Sequence, residues 1–299
     1  MSFKSSRGKN VGKELEVWQS SIIGQGLGGG GASVPVSVTT GGDVDGLEPG
    51  NGYVYHTFTN PGTFVLSGDP ISADILVVAG GGGGGTGNYF QPSLSGGGGG
   101  GVAWISSIDM DPGTYPVTVG AGGEGAPSPG SGSNGQDSLF GPGTSLPITA
   151  KGGGYGRGET PAGNNGGPGG SGGGADISGG GVGGSTIQHS ENGPLIPLGL
   201  MNFGSPGFSR SGGGVSGAGP GAAGVYSQAG SGLINYDFEG DKIGVSPFGA
   251  KFGAGGSVAP GGFGGSAGGY GGGGGGGSGW SFPGSQGIVI VRYLKGYSN

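Results

Sequence analysis

The side chains that could perform acid–base or nucleophilic chemistry are few in this chain. It has two histidines, His56 and His189, and no cysteine among its 299 residues. His56 shares one face of the alternating stretch "YVYHTFT" with Val54 and Phe58, so we interpret it as a hydrogen-bonded histidine of a sheet rather than a catalytic base. His189 stands beside Glu191 in a loop-like stretch, either as a solvated residue or as a binding contact. Because no nucleophile and base converge in this pattern, we expect no catalytic residue and no enzyme activity.

The acidic residues are spaced unlike those of known metal-binding loops. Asp43, Asp45 and Glu48 in "GGDVDGLEPGNG" lack the ligand spacing of an EF-hand. The stretch "SNGQDSLFG" is like a calcium-binding nonapeptide, but that architecture needs tandem copies. We therefore expect no metal ion and no cofactor. Glycine-based nucleotide motifs carry no weight here, because 92 residues are glycine and chance matches are frequent.

Glycine dominates the composition, yet its distribution excludes collagen. Collagen needs glycine at every third position, whereas this chain gathers it in runs of six and seven. Charged residues make up 9% of the chain and the net charge is −6, unlike the strongly charged composition of disordered segments. With 12 Phe, 10 Tyr and 3 Trp, the chain has apolar material for a small core. The composition therefore predicts an ordered protein.

Charge and hydropathy exclude two classes of partner. No Lys or Arg lies between Lys13 and Lys151, so the main body lacks the basic face that phosphate contacts require. We expect no nucleic-acid binding. The longest apolar runs, "ILVVA" and "IVIV", are too short to span a bilayer, so we expect no membrane insertion.

The pattern of residues divides the chain into an arm, a β domain, a glycine-rich insert and a tail. Residues 1–31 read as an arm whose basic side chains either contact an acidic partner or are solvated. Residues 32–119 alternate as strands do, with Pro-Gly turns between them. The strong strand in residues 287–294 has no local partner and must return to pair with this early β region. Residues 120–286 form the insert, and residues 295–299 the tail. This predicts a mainly β fold, a small antiparallel β-sandwich with almost no α-helix.

The glycine-rich stretches show a period of three. Triplets run from Gly166 and from Gly261, with glycine always in the middle place. Three residues per turn is the period of polyproline II, which makes no hydrogen bonds within its own strand. Strands without side chains can pack closely enough to bond to each other through their backbones. We therefore predict that the insert forms a polyglycine-II bundle. Its structural glycines are Gly167, Gly170, Gly262, Gly265 and Gly268.

The segments between the glycine-rich strands are predicted to be loops. One of them, "TGNYFQPSLS", lies between two runs of six glycines. Rigid scaffolds that display loops are a recurring design for recognition. The alternatives are an apolar cap that closes the bundle and mobile loops. The candidate contact residues are Asn88, Tyr89, Phe90, His189, Phe203, Phe208, Tyr236, Phe238 and Trp280.

Five stretches follow one another over about residues 50–294. In order, they are "YHTFTNPGTFVLSG", "ILVVAGGGGGG", "GGGGGGVAWISSIDMDPGTYPVTVGAGG", "SGSNGQDSLFG" and "GSQGIVIVRY". Together they resemble the glycine-rich domain of phage virion proteins, especially tail-fibre proteins. The insert also resembles the polyglycine-II sandwich of tip adhesins from T-even-like phages, in which loops between glycine-rich strands contact the bacterial surface.

The resemblance implies a structural virion protein on the tail or capsid surface. The loop residues would then contact a bacterial surface glycan or an outer-membrane protein. The arm would attach to other virion proteins through Lys4, Arg7, Lys9, Lys13 and Trp18, and a homo-oligomer such as a trimer is expected. The alternative is a non-adhesive head decoration, neck or tail part in which the bundle is a spacer.

Overall fold

The computed structural model describes residues 37–87, 95–127, 129–158, 165–175, 180–207, 233–234, 251–256 and 269–297. These residues are mainly β, as the sequence predicts, and their helices are short 3-10 turns at Gln188–Ser190, Gly193–Leu198 and Lys295–Tyr297. No helix within these ranges is long and apolar enough to cross a membrane.

Fifteen strands lie in the described ranges. They are β1 (Ser37–Thr40), β2 (Val44–Leu47), β3 (Tyr53–Phe58), β4 (Gly62–Gly68), β5 (Ile71–Val78), β6 (Thr86–Gly87), β7 (Val102–Met110), β8 (Gly113–Thr118), β9 (Ser138–Phe140), β10 (Ile148–Ala150), β11 (Met201–Phe203), β12 (Leu233–Ile234), β13 (Lys251–Phe252), β14 (Gly277–Ser278) and β15 (Ile288–Leu294). One antiparallel sheet has the order β1-β4-β8-β9-β10 and the other β11-β7-β5-β15-β3-β2. Two small pairs, β12 with β13 and β6 with β14, complete the set.

The last strand, β15, lies inside the six-stranded sheet. On one side it pairs with β3, where Val289 is opposite Phe58, and on the other with β5, where Val289 is opposite Val77. Its first six residues are buried, as expected for a continuously apolar strand with neighbours on both sides. The prediction that this strand returns to pair with the early β region is confirmed.

The two sheets pack face to face around an aromatic cluster. Phe64, Tyr115 and Phe140 come from the five-stranded sheet, and the stacked rings of Tyr115 and Phe140 have centroids 5.5 Å apart. Phe58 and Val291 of the six-stranded sheet belong to the same core. Burial of such rings is a large part of the stability of a small core. The two sheets therefore form the predicted β-sandwich.

The six-stranded sheet is also buried on its outer face. Leu76, Val78 and Ile290 are wholly buried there and pack with Phe252. This double burial explains why "DILVVA" is apolar at successive positions instead of alternating.

Three short strands within residues 120–286 join the sheets. From the sequence, this whole range was predicted to be the glycine-rich insert, but β9 and β10 extend the five-stranded sheet and β11 pairs with β7. Each of these strands has three residues. So short a strand shows too little alternation to be distinguished from a loop in the sequence.

Residues 79–86, the central segment, follow β5 and bond to other glycine-rich segments with a repeat of three. Successive backbone N–H groups donate to three different segments in turn, at N···O distances of 2.8 to 3.1 Å. The N–H groups of Ala79, Gly82 and Gly85 donate to the carbonyl oxygens of Gly101, Gly98 and Ser95, in that order. Those of Gly80, Gly83 and Thr86 donate to Gln136, Ser133 and Gly130. Those of Gly81 and Gly84 donate to Ser285 and Phe282.

The carbonyl groups of the central segment accept hydrogen bonds from three further segments. The donors are Gly123 and Ala126 in one segment, Gly153 and Gly156 in the next, and Gly274 in the third. Six segments of the same chain therefore surround residues 79–86. The backbone N–H and C=O groups of the central segment are thus hydrogen-bonded between segments rather than within one segment. We call this assembly the glycine bundle.

Glycine is needed in the central segment because neighbouring backbones approach it closely. None of its glycines has φ in the left-handed range, so backbone conformation does not require them. A Cβ added at Gly83 would lie less than 3.0 Å from the carbonyl oxygen of Glu124. The same holds at Gly82 against the carbonyl oxygen of Gly154. Even one methyl group would therefore force the segments apart.

Candidate functional site

The candidate site is the end of the glycine bundle away from the sandwich, which we call the tip. Segments that follow β5, β8 and β10 run away from the sheets, and segments that precede β7, β9 and β15 return to them. The turns between these segments therefore collect at one end. We define the tip by the described residues Thr86, Ala126, Pro127, Pro129, Gly130, Gly279, Trp280, Ser281 and Phe282.

One turn of the tip is anchored to the bundle at two successive residues. Ser281 Oγ donates to the carbonyl oxygen of Gly84 at 2.8 Å. Phe282 accepts from the N–H of Gly84 at 3.0 Å and donates through its own N–H to Gly275 at 2.9 Å. Gly279 enters the turn with φ of 84°, a left-handed conformation that favours glycine. The backbone of this turn is thus held by the bundle without any ligand.

An aromatic pair stands on the same turn. The ring centroids of Trp280 and Phe282 are 4.8 Å apart, with the ring planes at 53°. Trp280 is 50% exposed. A large ring on an anchored backbone loses little conformational freedom when it binds a ligand.

A second turn adjoins the first and is held by Thr86. Its N–H donates to Gly130 at 2.8 Å, and its carbonyl accepts from the N–H of Gly130 at 3.1 Å. Its hydroxyl donates to the carbonyl oxygen of Pro127 at 2.9 Å. Ser281 Oγ lies 3.3 Å from the carbonyl oxygen of Ala126, which places the two turns side by side.

Comparison with known protein families finds a match over most of the chain. The family described as Glycine-rich domain matches residues 57–294. The chain belongs to this family. The match begins within β3 and ends with β15, so it covers the bundle and the sandwich except β1, β2 and the first residues of β3. No curated protein matches the chain.

The predicted contact residues fall in different parts of this glycine-rich domain. Trp280 lies at the tip. His189 is exposed on the 3-10 helix Gln188–Ser190, and Phe203 is half-buried in β11 against the outer-face core. The structure therefore brings Trp280 to the tip and places His189 and Phe203 beside the sandwich. The following predicted residues lie outside the described ranges: Asn88, Tyr89, Phe90, Phe208, Tyr236, Phe238, Lys4, Arg7, Lys9, Lys13, Trp18, Gly262, Gly265 and Gly268.

The stretch that carries His189 closes one side of the sandwich. Leu195 and Leu200 are buried in the core between the sheets, while Ile196 and Leu198 are exposed. Of the sequence-based alternatives, an apolar covering role describes the two buried leucines better than display does. What they cover is the sandwich, however, and not the bundle.

Side-chain amides fasten this stretch to both sheets. Asn192 Oδ1 accepts from the N–H of Thr149 at 2.7 Å, and its Nδ2 donates to the carbonyl of Thr149 at 2.8 Å. Asn202 Oδ1 accepts from Asn192 at 3.0 Å and from Gln188 at 2.9 Å. Thr149 belongs to β10 and Asn202 to β11, so the amides join the edges of the two sheets. This cluster was not predicted from the sequence, because isolated amides in loops have no distinguishing pattern.

The two predicted structural glycines within the described ranges are closely packed. A Cβ at Gly167 would lie less than 3.0 Å from the ring and the backbone N of Tyr155. At Gly170 it would lie equally close to the backbone of Gly101 and of Lys151. Neither position has room for a side chain.

Both ring nitrogens of His56 lie within hydrogen-bond distance of polar atoms inside the sandwich. Nδ1 lies 2.9 Å from the carbonyl oxygen of Gly41 and 3.1 Å from Asp45 Oδ1, and Nε2 lies 3.0 Å from Thr39 Oγ1. Burial lowers the pKa of His56, against the opposing effects of Gly41 and Asp45. The order Asp45–His56–Thr39 has the connectivity of a hydrolase triad, but Thr39 Oγ1 is also hydrogen-bonded to the hydroxyl of Tyr293. We interpret the group as structural.

The acidic stretch considered for calcium is engaged in other contacts. Asp43 accepts from the N–H groups of Thr59 at 2.6 Å and Asn60 at 2.9 Å. Glu48 pairs with Lys295. Among the described residues, no group of three or more histidines, aspartates or glutamates could hold a metal ion.

Proposed function

We propose that this chain is a structural protein of a bacteriophage virion, a tail-fibre or receptor-binding component. In this proposal the N-terminal arm attaches to other virion proteins and the tip contacts the bacterial surface. The resemblance of its ordered segments to phage fibre proteins supports the virion assignment. The anchored aromatic pair at the tip, in which Trp280 is exposed, supports a role in recognition. Assembly as a homo-oligomer belongs to the same proposal.

The segments of the glycine bundle, in this proposal, adopt the polyglycine-II conformation. The three-residue repeat of hydrogen-bond partners along residues 79–86 supports it, because a helix with three residues per turn directs every third N–H the same way. The repeat of close approaches supports it as well. A Cβ added at Gly80 or Gly83 would meet the segment of residues 121–124, and one added at Gly81 or Gly84 the segment of residues 272–275.

The observation that carries the functional proposal is the enclosure of the central segment by six others. Ordering a residue's backbone costs about 1–2 kcal/mol, while one hydrogen bond returns a net of about 1 kcal/mol. A single glycine strand is therefore unstable, and the segments must form together. The result is a scaffold in which the whole bundle fixes the positions of the turns at its end. Such a scaffold suits a protein that must present small turns at a distance from its attachment point.

Two measurements on the full chain test the proposal. Gold-labelled antibody against the chain locates it on phage particles, and a fluorescently labelled chain is mixed with a panel of bacterial strains. We expect gold at the tail fibres, and selective staining of strains that the phage infects. An excess of unlabelled chain should reduce phage adsorption to those strains. Gold on the head or neck without staining of any strain would contradict the receptor-binding role and favour a spacer.

A further inference from the structure

We infer that the tip binds a neutral carbohydrate by stacking a sugar ring on Trp280. This inference rests on the proposed function and adds the chemical class of its ligand. A pyranose has one face of C–H groups with hydroxyl groups around its edge. An exposed indole with polar backbone around it complements both parts.

The first observation is the fixed presentation of the indole. Ser281 and Phe282, the two residues after Trp280, are hydrogen-bonded to the bundle at 2.8 to 3.0 Å. The centroid of the Phe282 ring lies 4.8 Å from that of the indole, so the Phe282 ring packs against the indole and supports it. Half of Trp280 stays exposed. A rigid ring of this kind binds without first being ordered, which is the usual property of an aromatic anchor.

The second observation is that the described tip residues expose few large apolar side chains, because Phe282 is half-buried and the others beside Trp280 are alanine and proline. Among the described tip residues, Trp280 is the one large hydrophobic side chain that is exposed. Its neighbours in the turn are Gly279 and Ser281. A protein–protein interface of standard size buries about 800 Å² of surface on each side, with an apolar centre of several residues. One indole is the size of one sugar ring, so the carbohydrate fits this surface better than a protein does.

The third observation is the kind of polar group beside the indole. The carbonyl oxygens of Ala126 and Pro127 lie at the adjoining turns, and each accepts one hydrogen bond from a described side chain. A carbonyl oxygen has two lone pairs, so each can accept a second bond from a sugar hydroxyl. The defined tip residues include no charged side chain, and the charged residue just before them is an exposed acid, Glu124, next to Gly125, which packs on Ser281. A carboxylate there repels an acidic sugar and favours a neutral ligand.

Arg157, a described basic residue of the bundle, lies on a different segment from Trp280. Arg157 belongs to the segment that bonds to residues 98 and 132, while residues 282–284 bond to residues 123 and 275. These two segments are on opposite sides of the central one. The central segment therefore lies between the segment of Arg157 and the turn that carries Trp280.

The direct test is binding of the full chain to a printed array of bacterial core, O-antigen and capsular oligosaccharides. The oligosaccharide that binds best is then titrated with the wild type, Trp280→Ala, Trp280→Tyr and Leu198→Ala. Leu198 is the matched control, because it is an exposed apolar residue beside the sandwich. We expect Trp280→Ala to weaken binding at least about tenfold, as loss of an anchor residue does. Trp280→Tyr should keep most of the affinity, and Leu198→Ala all of it, with thermal midpoints unchanged in every variant.

Treated cells separate this inference from the proposed function. Cells that bind the chain are exposed to periodate, which cleaves sugar diols, or to a protease. Loss of binding after periodate alone supports the carbohydrate. Loss after protease alone overturns the inference while the receptor-binding role stands. Cell binding that Trp280→Ala leaves intact, or an array without any bound oligosaccharide, overturns the inference as well. Absence of cell binding together with Trp280-dependent array binding supports the carbohydrate site and contradicts the receptor-binding role.

Discussion

Arg292 and Asp74 form an ion pair inside the protein although 218 residues separate them in the chain. Arg292 Nε donates to Asp74 Oδ2 at 2.8 Å, and Asp74 Oδ1 accepts from the N–H of Ser107 at 2.8 Å. The guanidinium carbon lies 4.4 Å from the ring centroid of Tyr53. Burial disfavours the charge of Arg292, but the hydrogen bonds to Tyr55 and Asp74 outweigh it and raise the pKa. The last strand of the sheet is thus tied to β5 by side chains as well as by backbone.

Breaking this pair should destabilise the protein strongly. Arg292→Met keeps the apolar stem but leaves Asp74 buried without its cation, and we expect a loss of about 3–5 kcal/mol in the free energy of unfolding. Lys295→Met is the control, because Lys295 pairs with Glu48 at the surface and should change the free energy by less than about 1 kcal/mol. Urea unfolding measures both. Equal losses in the two variants would show that the buried pair has no special weight.

Adding one methyl group to the central segment should also destabilise the protein. Gly83→Ala places a Cβ against the carbonyl of Glu124, and overpacking of this kind typically costs about 1–3 kcal/mol. Gly296→Ala is the matched control, since an added Cβ there meets nothing within 4 Å and its φ is not left-handed. Thermal melts of both variants test the expectation. If Gly83→Ala melts like the control, the segments are not packed as closely as described.

Mild acid should reduce stability through His56. Its pKa in the folded protein lies below the ordinary value of 6.5, so above that pH it is neutral in both states. As the pH falls below 6.5, the unfolded chain takes up a proton that the folded chain resists. The free energy of unfolding should therefore decrease until the lowered folded pKa is reached. The charged or titratable groups near the ring are Asp45 and Tyr293.

His56→Gln measures this contribution against the other titrating groups. We expect the free energy of unfolding of the wild type to decrease more between pH 7 and pH 5 than that of the variant. Urea titrations at fixed ionic strength give the two slopes. Parallel slopes would mean that His56 takes up its proton equally well in the folded protein.

Substitution by alanine should have opposite effects on stability at Ser171, which is buried, and at Ser281, which is half-buried. Ser171 is wholly buried, and its Oγ has no hydrogen-bond partner in the part of the chain that the structure describes. Ser171→Ala should therefore be neutral or stabilising, because it removes an unsatisfied polar group. Ser281→Ala loses the bond to Gly84 and should cost about 1 kcal/mol. Thermal melts that rank the variants the other way would contradict this assignment of partners.

The strands with strong patterns were predictable from the sequence, and the short ones were not. Alternation in β3 and the apolar run of β5 each gave enough consecutive residues to identify a strand. The three-residue strands β9 to β11 did not. The return of β15 to the early strands followed from its lack of a local partner, while its position between β3 and β5 did not follow from any local signal.

For the candidate site, Trp280 was already a candidate from the sequence, and the structure shows what surrounds it. Trp280 was singled out as an aromatic between glycine-rich segments, together with His189 and Phe203. The three are indistinguishable in the sequence, because each lies in a stretch of mixed composition. Only the tertiary structure separates them, since His189 and Phe203 belong to a segment that docks on the sandwich.

The sequence by itself determined the class of the fold and the need for close backbone packing. Alternation of apolar residues dictates strands, and triplets without side chains leave backbone groups that only neighbouring strands can satisfy. The tertiary structure decided which segments meet. It placed residues 79–86 at the centre of six others, and it joined Arg292 to Asp74 and Gly84 to Phe282. Glycine segments of nearly identical composition carry no information about their partners. Most of these segments directly precede or follow a strand of the sandwich. The distinct side chains of those strands select a single register and so fix the arrangement of the segments.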